Sequence, residues 1–345
     1  SGGARALGLS YRHVWGELKR WENELGNELV IWEKGQRAHL TEFGNKLMWA
    51  ERQAQARLAP QIEALRAELE RSYALAFDNS VHVVTLYASH DDALSRLREH
   101  ALQGDRLALG RNSGRLHLDI RFTGSVDAIR ALNEGRCVMA GFHTLLGTGK
   151  KTLTEHTYKP LLQPGQHKII GFAQRTQGLM VAKGNPLGLR SLQDLADQRA
   201  RFAARGLGSG TRVVLDELLI QAGLVASDII SDDHTEPSHA AVAQAVAAGQ
   251  CDAGLGIAAA AQRAGLDFVP LADERYHLVC LKSALLRPGI QALLHLLKTP
   301  AWKSEVATIT GYAALQSGEV LSMRRVLPWW DYRQEKSHPI DALNH

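Results

Sequence analysis

The sequence predicts a chain of two parts: a helical N-terminal part that carries one β-hairpin, and a longer α/β part with a mostly parallel sheet. Three observations predict this division. Apolar residues recur at helical spacing over most of residues 11–75, a hairpin pattern interrupts them at residues 29–40, and repeated units of strand, polar turn and helix begin after residue 80. Such repeated units are typical of folds in which parallel strands alternate with helices.

Length and composition limit the class of protein. A chain of 345 residues, at roughly 100–200 residues per domain, indicates two or three domains. Hydrophobic residues make up 45% and charged residues 22%, and no apolar run approaches the ~20 residues that cross a bilayer, so we expect no membrane segment. The net charge of +4 allows a polyanionic partner without requiring one. Three widely separated cysteines and the lack of a secretion signal favour the cytosol.

The first 25 residues predict a helix, a tight turn and a second helix. Gly8 is free to adopt the positive φ angle of a tight turn, and Ser10 is placed to cap a helix from Tyr11 to about Leu25. Apolar residues of this helix recur at i, i+4, i+7 and i+11, and we expect them to form its core stripe. They are Val14, Leu18, Trp21 and Leu25.

A wing follows the second helix. Two short apolar runs, residues 29–33 and 38–40, flank the basic turn Lys34-Gly35-Gln36-Arg37, which predicts a β-hairpin. Polar residues of the helix and turn form either a solvated face or contacts to DNA, and their position beside a winged helix-turn-helix favours DNA. Lys34 and Arg37 at the tip are expected to contact phosphate. The candidate DNA-binding residues are Ser10, Tyr11, Arg12, His13, Lys19, Arg20, Lys34 and Arg37.

A long helix connects the wing to the α/β part. Thr41 is placed to cap it, and the helical pattern runs from Glu42 to about Leu75, with Pro60 expected to kink or split it. A helix of this length cannot bury its own apolar stripe, which indicates a linker that dimerises. The stripe consists of Phe43, Leu47, Leu58, Ile62, Leu65 and Leu69.

The α/β part predicts strands at residues 81–86, 116–122 and 138–143, with further strands at 169–175 and 178–182 that carry the chain into a second lobe. Ligands of such folds bind at the carboxyl ends of strands, where Ser89 and Ser125 fall. The turn Gly208-Ser209-Gly210-Thr211 opens a helix, so its N–H groups and hydroxyls suit either an anion or ordinary helix capping. Three such turns in one α/β chain favour an anion pocket.

Catalytic motifs are not found in the sequence. It contains no G-x-S-x-G elbow, no H-E-x-x-H and no phosphate loop ending in Gly-Lys-Ser/Thr, so we expect a binding protein with no catalytic residues and no catalytic cofactor. His90, His143 and His239 could approach one another and hold a metal ion. Because isolated histidines in polar turns are usually hydrogen-bonding groups, we expect no metal ligation.

Two stretches resemble a known regulator family. The run from Ala4 to Trp15, followed by residues 40–44, resembles the winged helix of ModE-like and LysR-type bacterial transcription regulators. The rest resembles the two-lobed (type 2) periplasmic-binding-protein-like domain that occurs in some of these regulators. The phrases that carry this second resemblance are Ser89-His90-Asp91, Gln177-Gly178-Leu179, Gly184-Asn185-Pro186, Gly208-Ser209-Gly210-Thr211-Arg212, Glu236-Pro237-Ser238-His239 and Asp252-Ala253-Gly254-Leu255-Gly256.

The resemblance implies four segments. Residues 1–41 are expected to be the winged helix-turn-helix without its first helix, 42–78 the linker and dimerisation helix, 79–315 the effector domain, and 316–345 a C-terminal extension. Related domains bind molybdate or tungstate with hydroxyls and backbone N–H groups at helix starts. The implied ligand-binding residues are Ser89, His90, Ser125, His143, Arg175, Thr176, Ser209, Gly210, Thr211, Glu236 and His239.

These observations lead to one preferred function and two alternatives. We expect a cytosolic regulator, dimeric or tetrameric through its linker helix, that binds operator DNA and senses molybdate or tungstate. The effector would close the lobes about a hinge near Arg175 and Gln177. The first alternative is the same regulator with a small carboxylate effector such as formate. The second is a carrier module of molybdenum cofactor metabolism that does not bind DNA.

Overall fold

The computed structural model describes residues 2–33, 38–77, 81–104, 116–147 and 149–330. The N-terminal part contains helix α1 (Gly2–Ala6), helix α2 (Tyr11–Leu25) and a hairpin of strands β1 (Val30–Ile31) and β2 (His39–Leu40). The predicted limits of the second helix are confirmed. Ser10 caps α2 by accepting a hydrogen bond from the His13 N–H at 3.1 Å, and Gly26 ends it with a φ of 66°.

The predicted core stripe of α2 is only half-buried. Val14 and Leu18 are partly covered, whereas Trp21 and Leu25 remain 47% and 46% exposed, so their assignment to a core was wrong. The described neighbours of α2 are the five-residue α1 and the hairpin, which are too small to cover the whole stripe. Lys34 and Arg37, predicted at the wing tip, lie outside the described residues.

Helix α3 (Glu42–Phe77) is continuous over 36 residues and contains Pro60, so the predicted split into two helices does not occur. Thr41 caps it as predicted, by accepting a hydrogen bond from the Gly44 N–H at 2.9 Å. The predicted apolar stripe lies mostly on its exposed side. Its exposed members are Leu47, Leu58, Ile62, Leu65 and Leu69. The opposite side packs against the α/β part and buries Gln53, Pro60 and Ala67.

One ten-stranded sheet runs through the described α/β part, in the order β4-β3-β5-β10-β6-β9-β7-β8, with β11 and β12 pairing with β6. The strands are β3 (His82–Ala88), β4 (Leu116–Phe122), β5 (Met139–Leu145), β6 (His167–Val181), β7 (Arg201–Arg205), β8 (Ile230–Glu236), β9 (Ala253–Ile257), β10 (Asp267–Leu281), β11 (Tyr312–Ala313) and β12 (Val320–Leu321).

The helices of this part pack on the sheet and connect its strands. They are α4 (Asp92–Gly104), α5 (Ser125–Asn133), α6 (Leu153–Tyr158), α7 (Leu192–Asp197), α8 (Gly210–Gln221), α9 (His239–Ala247), α10 (Ala258–Ala264), α11 (Pro288–Lys298), α12 (Pro300–Ala307) and α13 (Met323–Val326). Fully buried side chains such as Trp302, Phe172 and Tyr276 form the core between them and the sheet.

Two parallel groups of strands define two lobes. In the first lobe β3 lies between and parallel to β4 and β5, and in the second β7 lies between and parallel to β8 and β9. The 15-residue strands β6 and β10 run antiparallel through both lobes. The sequence predicted two separate strands where β6 is one, because Thr176 and Gln177 interrupt its apolar pattern without interrupting its hydrogen bonds.

The chain continues to pack against the first lobe after residue 315. Strand β12 pairs with β6, and Met323, Leu327 and Trp329 join a buried cluster with Phe142 and Ile169. The part of the predicted C-terminal extension that the structure describes, residues 316–330, therefore completes the core of this lobe.

Candidate functional site

A cavity of about 340 Å³ opens between the two lobes. The first lobe lines it with the ends of β3 and β4, where Ser89 and Gly124 lie, and the second lobe with the ends of β7 and β8, where Arg205 and Glu236 lie. Helix α3 forms a third wall with Arg57, Pro60 and Gln61. We call this space the interlobe cavity. Its position at the carboxyl ends of parallel strands agrees with the general location of ligand sites in α/β sheets.

The lobes touch directly beside this cavity. The Val126 N–H, in the first turn of α5, donates to the Gly208 carbonyl at 3.5 Å. A Cβ atom at Gly124 would lie 2.6 Å from the same carbonyl oxygen, so only glycine permits this approach. The N-termini of α5 and α8, one from each lobe, are thereby brought together.

Four predicted ligand residues meet at these helix starts. The hydroxyl oxygens of Ser89 and Ser125 are 3.3 Å apart, and a Cβ atom at Gly210 would lie 2.8 Å from the Ser125 hydroxyl. Ser209 caps α8 by accepting from the Arg212 N–H at 3.2 Å. Because capping uses the hydroxyl as an acceptor, its own O–H remains able to donate. This arrangement suits a group that accepts hydrogen bonds.

Arg205 is the buried cation of the cavity, and the sequence did not identify it. Only 6% of the residue is exposed, and among the described residues its Nε and Nη1 atoms have no hydrogen-bond partner. Burial, followed by the nearby charge of Arg175, lowers its pKa to about 10, so the guanidinium remains charged at neutral pH. The available signal was an arginine at the carboxyl end of strand β7, directly after the three apolar residues Phe202-Ala203-Ala204.

Arg175 differs from Arg205 because its charge is compensated within the protein. It contacts the carboxylates of Asp91 and Glu274 and donates to the Tyr312 hydroxyl at 3.1 Å. Burial opposes its charge, but Glu274, Tyr312 and Asp91 together hold its pKa well above the usual value. Arg175 was predicted to bind ligand, and the structure places it instead in an internal ion cluster.

The adjacent Thr176 faces away from this cluster. Successive residues of a strand point to opposite sides of the sheet, and the Thr176 hydroxyl donates to Asp273 at 2.6 Å in an exposed position. This placement separates Thr176 from the residues that line the interlobe cavity.

The three predicted histidines lie around the cavity. The ring of His90 lines it and lies 3.4 Å from a Glu63 carboxylate oxygen. His143 Nδ1 lies 3.3 Å from an Arg175 nitrogen, and His239 Nε2 lies 3.5 Å from the Thr211 hydroxyl. Burial, followed by the charge of Arg175, holds the pKa values of His143 and His239 well below normal, so both rings are neutral at pH 7.

Neutral imidazoles can donate or accept hydrogen bonds without adding charge. Within the described ranges, His143 Nε2 and His239 Nδ1 have no hydrogen-bond partner. The same ranges contain no group of three or more histidine, cysteine, aspartate or glutamate residues arranged to hold a metal ion. The arrangement therefore offers hydroxyls, imidazoles and one uncompensated guanidinium, which together suit a small anion.

Comparison with known proteins agrees with this architecture. Residues 107–298 match the PBP superfamily domain. The chain belongs to the PBP superfamily. This match confirms the predicted periplasmic-binding-protein-like domain, whereas the predicted winged segment, residues 1–41, lies outside the matched residues. We refer below to the two-lobed part as the PBP domain.

The chain has relatives in bacteria. The uncharacterized protein YvgK of Bacillus subtilis (strain 168) is 30% identical over 230 residues, which cover 67% of this chain and 70% of that protein. The chain is similar to an H₂O₂-bound OxyR mutant of Corynebacterium glutamicum, with a TM-score of 0.45, 17% identity, and coverage of 84% of this chain and 83% of that one. It is also similar to a tungstate ABC transporter structure from Geobacter sulfurreducens, with a TM-score of 0.47, 14% identity, and coverage of 66% and 98%.

Glu236, the last predicted ligand residue, introduces a negative charge at the cavity of the PBP domain. It is buried and receives two hydrogen bonds from Arg57 of α3, at 3.0 and 2.6 Å. As the strand partner of Arg205, it also lies beside that guanidinium and favours its charged form.

Among the described helices, none combines the length and apolar character needed to cross a bilayer.

Proposed function

We propose that the PBP domain binds a small anion in the interlobe cavity. The observation that carries this proposal is the buried guanidinium of Arg205, whose Nε and Nη1 atoms have no hydrogen-bond partner among the described residues. An unpaired buried charge costs several kcal/mol, and an anion that accepts those N–H groups would recover much of this cost. The hydroxyls of Ser89 and Ser209 line the same cavity and would add hydrogen bonds.

The preferred anion is molybdate or tungstate. The N-termini of α5 and α8 bring partial positive charge to the site, which helps to balance a divalent oxyanion. Gly124 provides no side-chain cap for α5, so the N–H groups of its first turn, apart from that of Val126, which donates to Gly208, can donate to a ligand. A tetrahedral oxyanion has enough acceptor sites for hydroxyls, backbone N–H groups and the guanidinium.

A small carboxylate such as formate is the second candidate, and a specific observation favours it. The Nε and Nη1 atoms of Arg205 have no hydrogen-bond partner among the described residues, and a single guanidinium forms a planar two-bond pair with a monovalent carboxylate. The two candidates share the same donors, so direct comparison of ligands separates them.

Calorimetry with Arg205 variants tests the anion site. Isothermal titration of the protein with molybdate, tungstate, sulfate and formate should show binding of at least one anion, and Arg205→Met should weaken it at least about tenfold. Because the substitution removes an unpaired buried charge, the thermal midpoint of the unliganded variant should be unchanged or higher. Arg190→Ala, which removes an exposed arginine from the same lobe, is the control and should bind normally. The absence of heat with all four anions would exclude the proposed ligand class.

We propose further that this anion sensor belongs to a cytosolic DNA-binding regulator. Support comes from the arrangement of α1, α2 and the β1–β2 hairpin before the PBP domain. Arg12 and His13 are exposed on the first turn of α2, next to the capping Ser10. Lys19 and Arg20 on the same helix pair with Glu22 and Glu17. On binding DNA, these two side chains would leave the carboxylates and contact phosphate groups. Closure of the lobes about β6, near Arg175 and Gln177, would transmit the anion signal.

Salt-dependent DNA affinity tests this role against the non-DNA-binding carrier. A gel shift with DNA from upstream of the gene should show affinity that falls steeply as salt rises, because bound counterions are released. Arg12→Ala should weaken binding and reduce the slope of log affinity against log salt by about one. The matched control is Arg130→Ala, an exposed arginine of the PBP domain, which should leave the slope unchanged. Affinity that does not respond to salt would favour the carrier.

Dimerisation through α3 is the third part of the proposal. Leu58, Ile62, Leu65 and Leu69 recur at i, i+4, i+7 and i+11 on the side of α3 that faces away from the PBP domain, and each is at least half exposed. A continuous apolar stripe on a long exposed helix is typical of a helix that pairs with a second copy.

Disruption of the stripe should separate the subunits. Leu65→Asp places a charge in the apolar stripe where the two copies of α3 would meet. The molar mass of this variant, measured by light scattering after gel filtration at micromolar concentration, should fall to that of one chain. Glu68→Ala changes a residue beside the stripe without adding a buried charge and should keep the wild-type mass. A wild-type protein that already elutes as a single chain at this concentration would contradict dimerisation.

A further inference from the structure

Helix α3 lies across the mouth of the cleft and is bonded to both lobes. On the second lobe, the Gln53 and Gln250 side-chain amides exchange two hydrogen bonds of 2.7 and 2.9 Å. On the first lobe, the Glu63 carboxylate accepts from the Ser95 hydroxyl at 2.8 Å, and the Glu63 carbonyl accepts from Arg98 at 3.2 Å. Farther along, Arg71 pairs at 3.2 Å with Asp119, a fully buried carboxylate of β4. The linker is therefore also a cover of the ligand domain.

Pro60 is placed where this cover meets the second lobe. A proline has no N–H group, so it leaves the carbonyl four residues earlier, that of Ala56, without its helical hydrogen bond. The hydroxyl of Ser238 donates to this Ala56 carbonyl at 3.4 Å, while the same hydroxyl oxygen caps α9 by accepting from the Ala241 N–H at 3.1 Å. The buried Pro60 thus creates an acceptor that the PBP domain uses, which explains a proline inside a continuous helix.

We propose that Arg57 and Gln61 of the linker helix are binding residues of the anion site, so that α3 contacts the ligand directly. This inference rests on the proposed anion-binding function and adds residues to its site. Both side chains line the interlobe cavity together with Arg205, Ser89 and Ser209. An anion that fills the cavity would be enclosed by the first lobe, the second lobe and the linker.

The charges around the cavity require Arg57. Without ligand, the buried carboxylate of Glu236 accepts both hydrogen bonds from Arg57 and lies beside its strand partner Arg205. If Arg57 were absent, an entering anion would share a single guanidinium with a buried carboxylate, and the two negative charges would repel each other. With Arg57 present, two guanidiniums face one carboxylate and the anion. The charge of a monovalent anion is then balanced, and a divalent oxyanion leaves one negative charge for the N-termini of α5 and α8 to stabilise.

Arg57 is also free enough to change partners. Its side chain is 46% exposed, against 5% for that of Glu236, so it can turn from the carboxylate towards the cavity while keeping contact with water. Anion binding and α3 docking then share one free energy of coupling, and each strengthens the other.

Because Thr41 caps α3 and its hydroxyl donates to the Glu28 carbonyl at 2.7 Å, a shift of α3 reaches the segment that carries α2 and the hairpin.

Calorimetry with molybdate and with formate, on the full chain, tests this assignment. Arg57→Ala should weaken anion binding by about ten- to a hundredfold, because it removes a charged donor and leaves Glu236 uncompensated. Arg66→Ala removes the same charge from the opposite flank of α3, at a side chain that is 71% exposed, and should bind like the wild type. Glu236→Gln, combined with Arg57→Ala, should restore at least part of the lost affinity because it removes the repelling charge.

The double variant separates ligand binding from helix docking. It lacks both partners of the Arg57–Glu236 ion pair, so a purely structural role of that pair would make it bind as poorly as Arg57→Ala or worse. Hydrogen exchange gives a second readout: anion should slow exchange in residues 53–67 of the wild type and less so in Arg57→Ala. Binding that is lost in Arg205→Met but unchanged in Arg57→Ala would overturn this inference alone. No binding of any tested anion by the wild type would overturn the proposed function and this inference with it.

Discussion

The site depends on the buried guanidinium of Arg205, whose Nε and Nη1 atoms have no hydrogen-bond partner among the described residues. Arg205 ends strand β7 of the second lobe, after three apolar residues, and is almost fully buried. The free-energy cost of such a charge is several kcal/mol, which must be offset by packing elsewhere. The imidazoles of His143 and His239 stay neutral mainly because they are buried, and the charges of Arg175 and Arg205 lower their pKa values further.

Three arginines around the cleft have three different roles because their counterions differ. Arg175 is surrounded by two carboxylates and a tyrosine hydroxyl, so its charge serves to join strands β6 and β10 to the first lobe. The Nε and Nη1 atoms of Arg205 have no hydrogen-bond partner among the described residues, and its strand partner Glu236 is bonded to Arg57, so we propose that Arg205 is available to a ligand. Arg57 is held by one carboxylate on the surface of the cavity and connects the linker helix to the second lobe. All three residues are arginines, so their positions relative to carboxylates decide which one can bind a ligand and which ones stabilise the fold.

The features that depend on local sequence could be predicted. Ser10 and Leu25 mark the limits of α2 because capping and apolar spacing act within one helix. The serine-containing turns follow strands, so Ser89 and Ser125 could be predicted to lie together at one edge of the sheet, and their hydroxyl oxygens are 3.3 Å apart. The apolar stripe of α3 could be predicted from the spacing of its residues. The side of α3 that faces the PBP domain could not be predicted.

The features that depend on distant contacts could not be predicted. Nothing near Arg205 in the sequence shows that its Nε and Nη1 atoms will have no hydrogen-bond partner among the described residues. Nothing near Pro60 shows that Ser238 will bond to the carbonyl that the proline releases. The register of β6 against β10 was needed to show that Arg175 joins the ion cluster whereas Thr176 bonds to Asp273 on the other side of the sheet. Pairings such as that of Arg57 with Glu236 join residues 179 positions apart, which spacing within one element cannot reveal.

The central claim is that an anion occupies the space between Arg205 and the serines of the two lobes. Anomalous diffraction from crystals grown with tungstate tests it directly, because tungsten scatters strongly and marks a single position. The expected result is one strong peak in the interlobe cavity, with oxygen atoms within hydrogen-bond distance of Arg205 and of the Ser89 and Ser209 hydroxyls. A tungsten peak only outside the cleft, or an empty cleft at saturating tungstate, would contradict the claim for oxyanions.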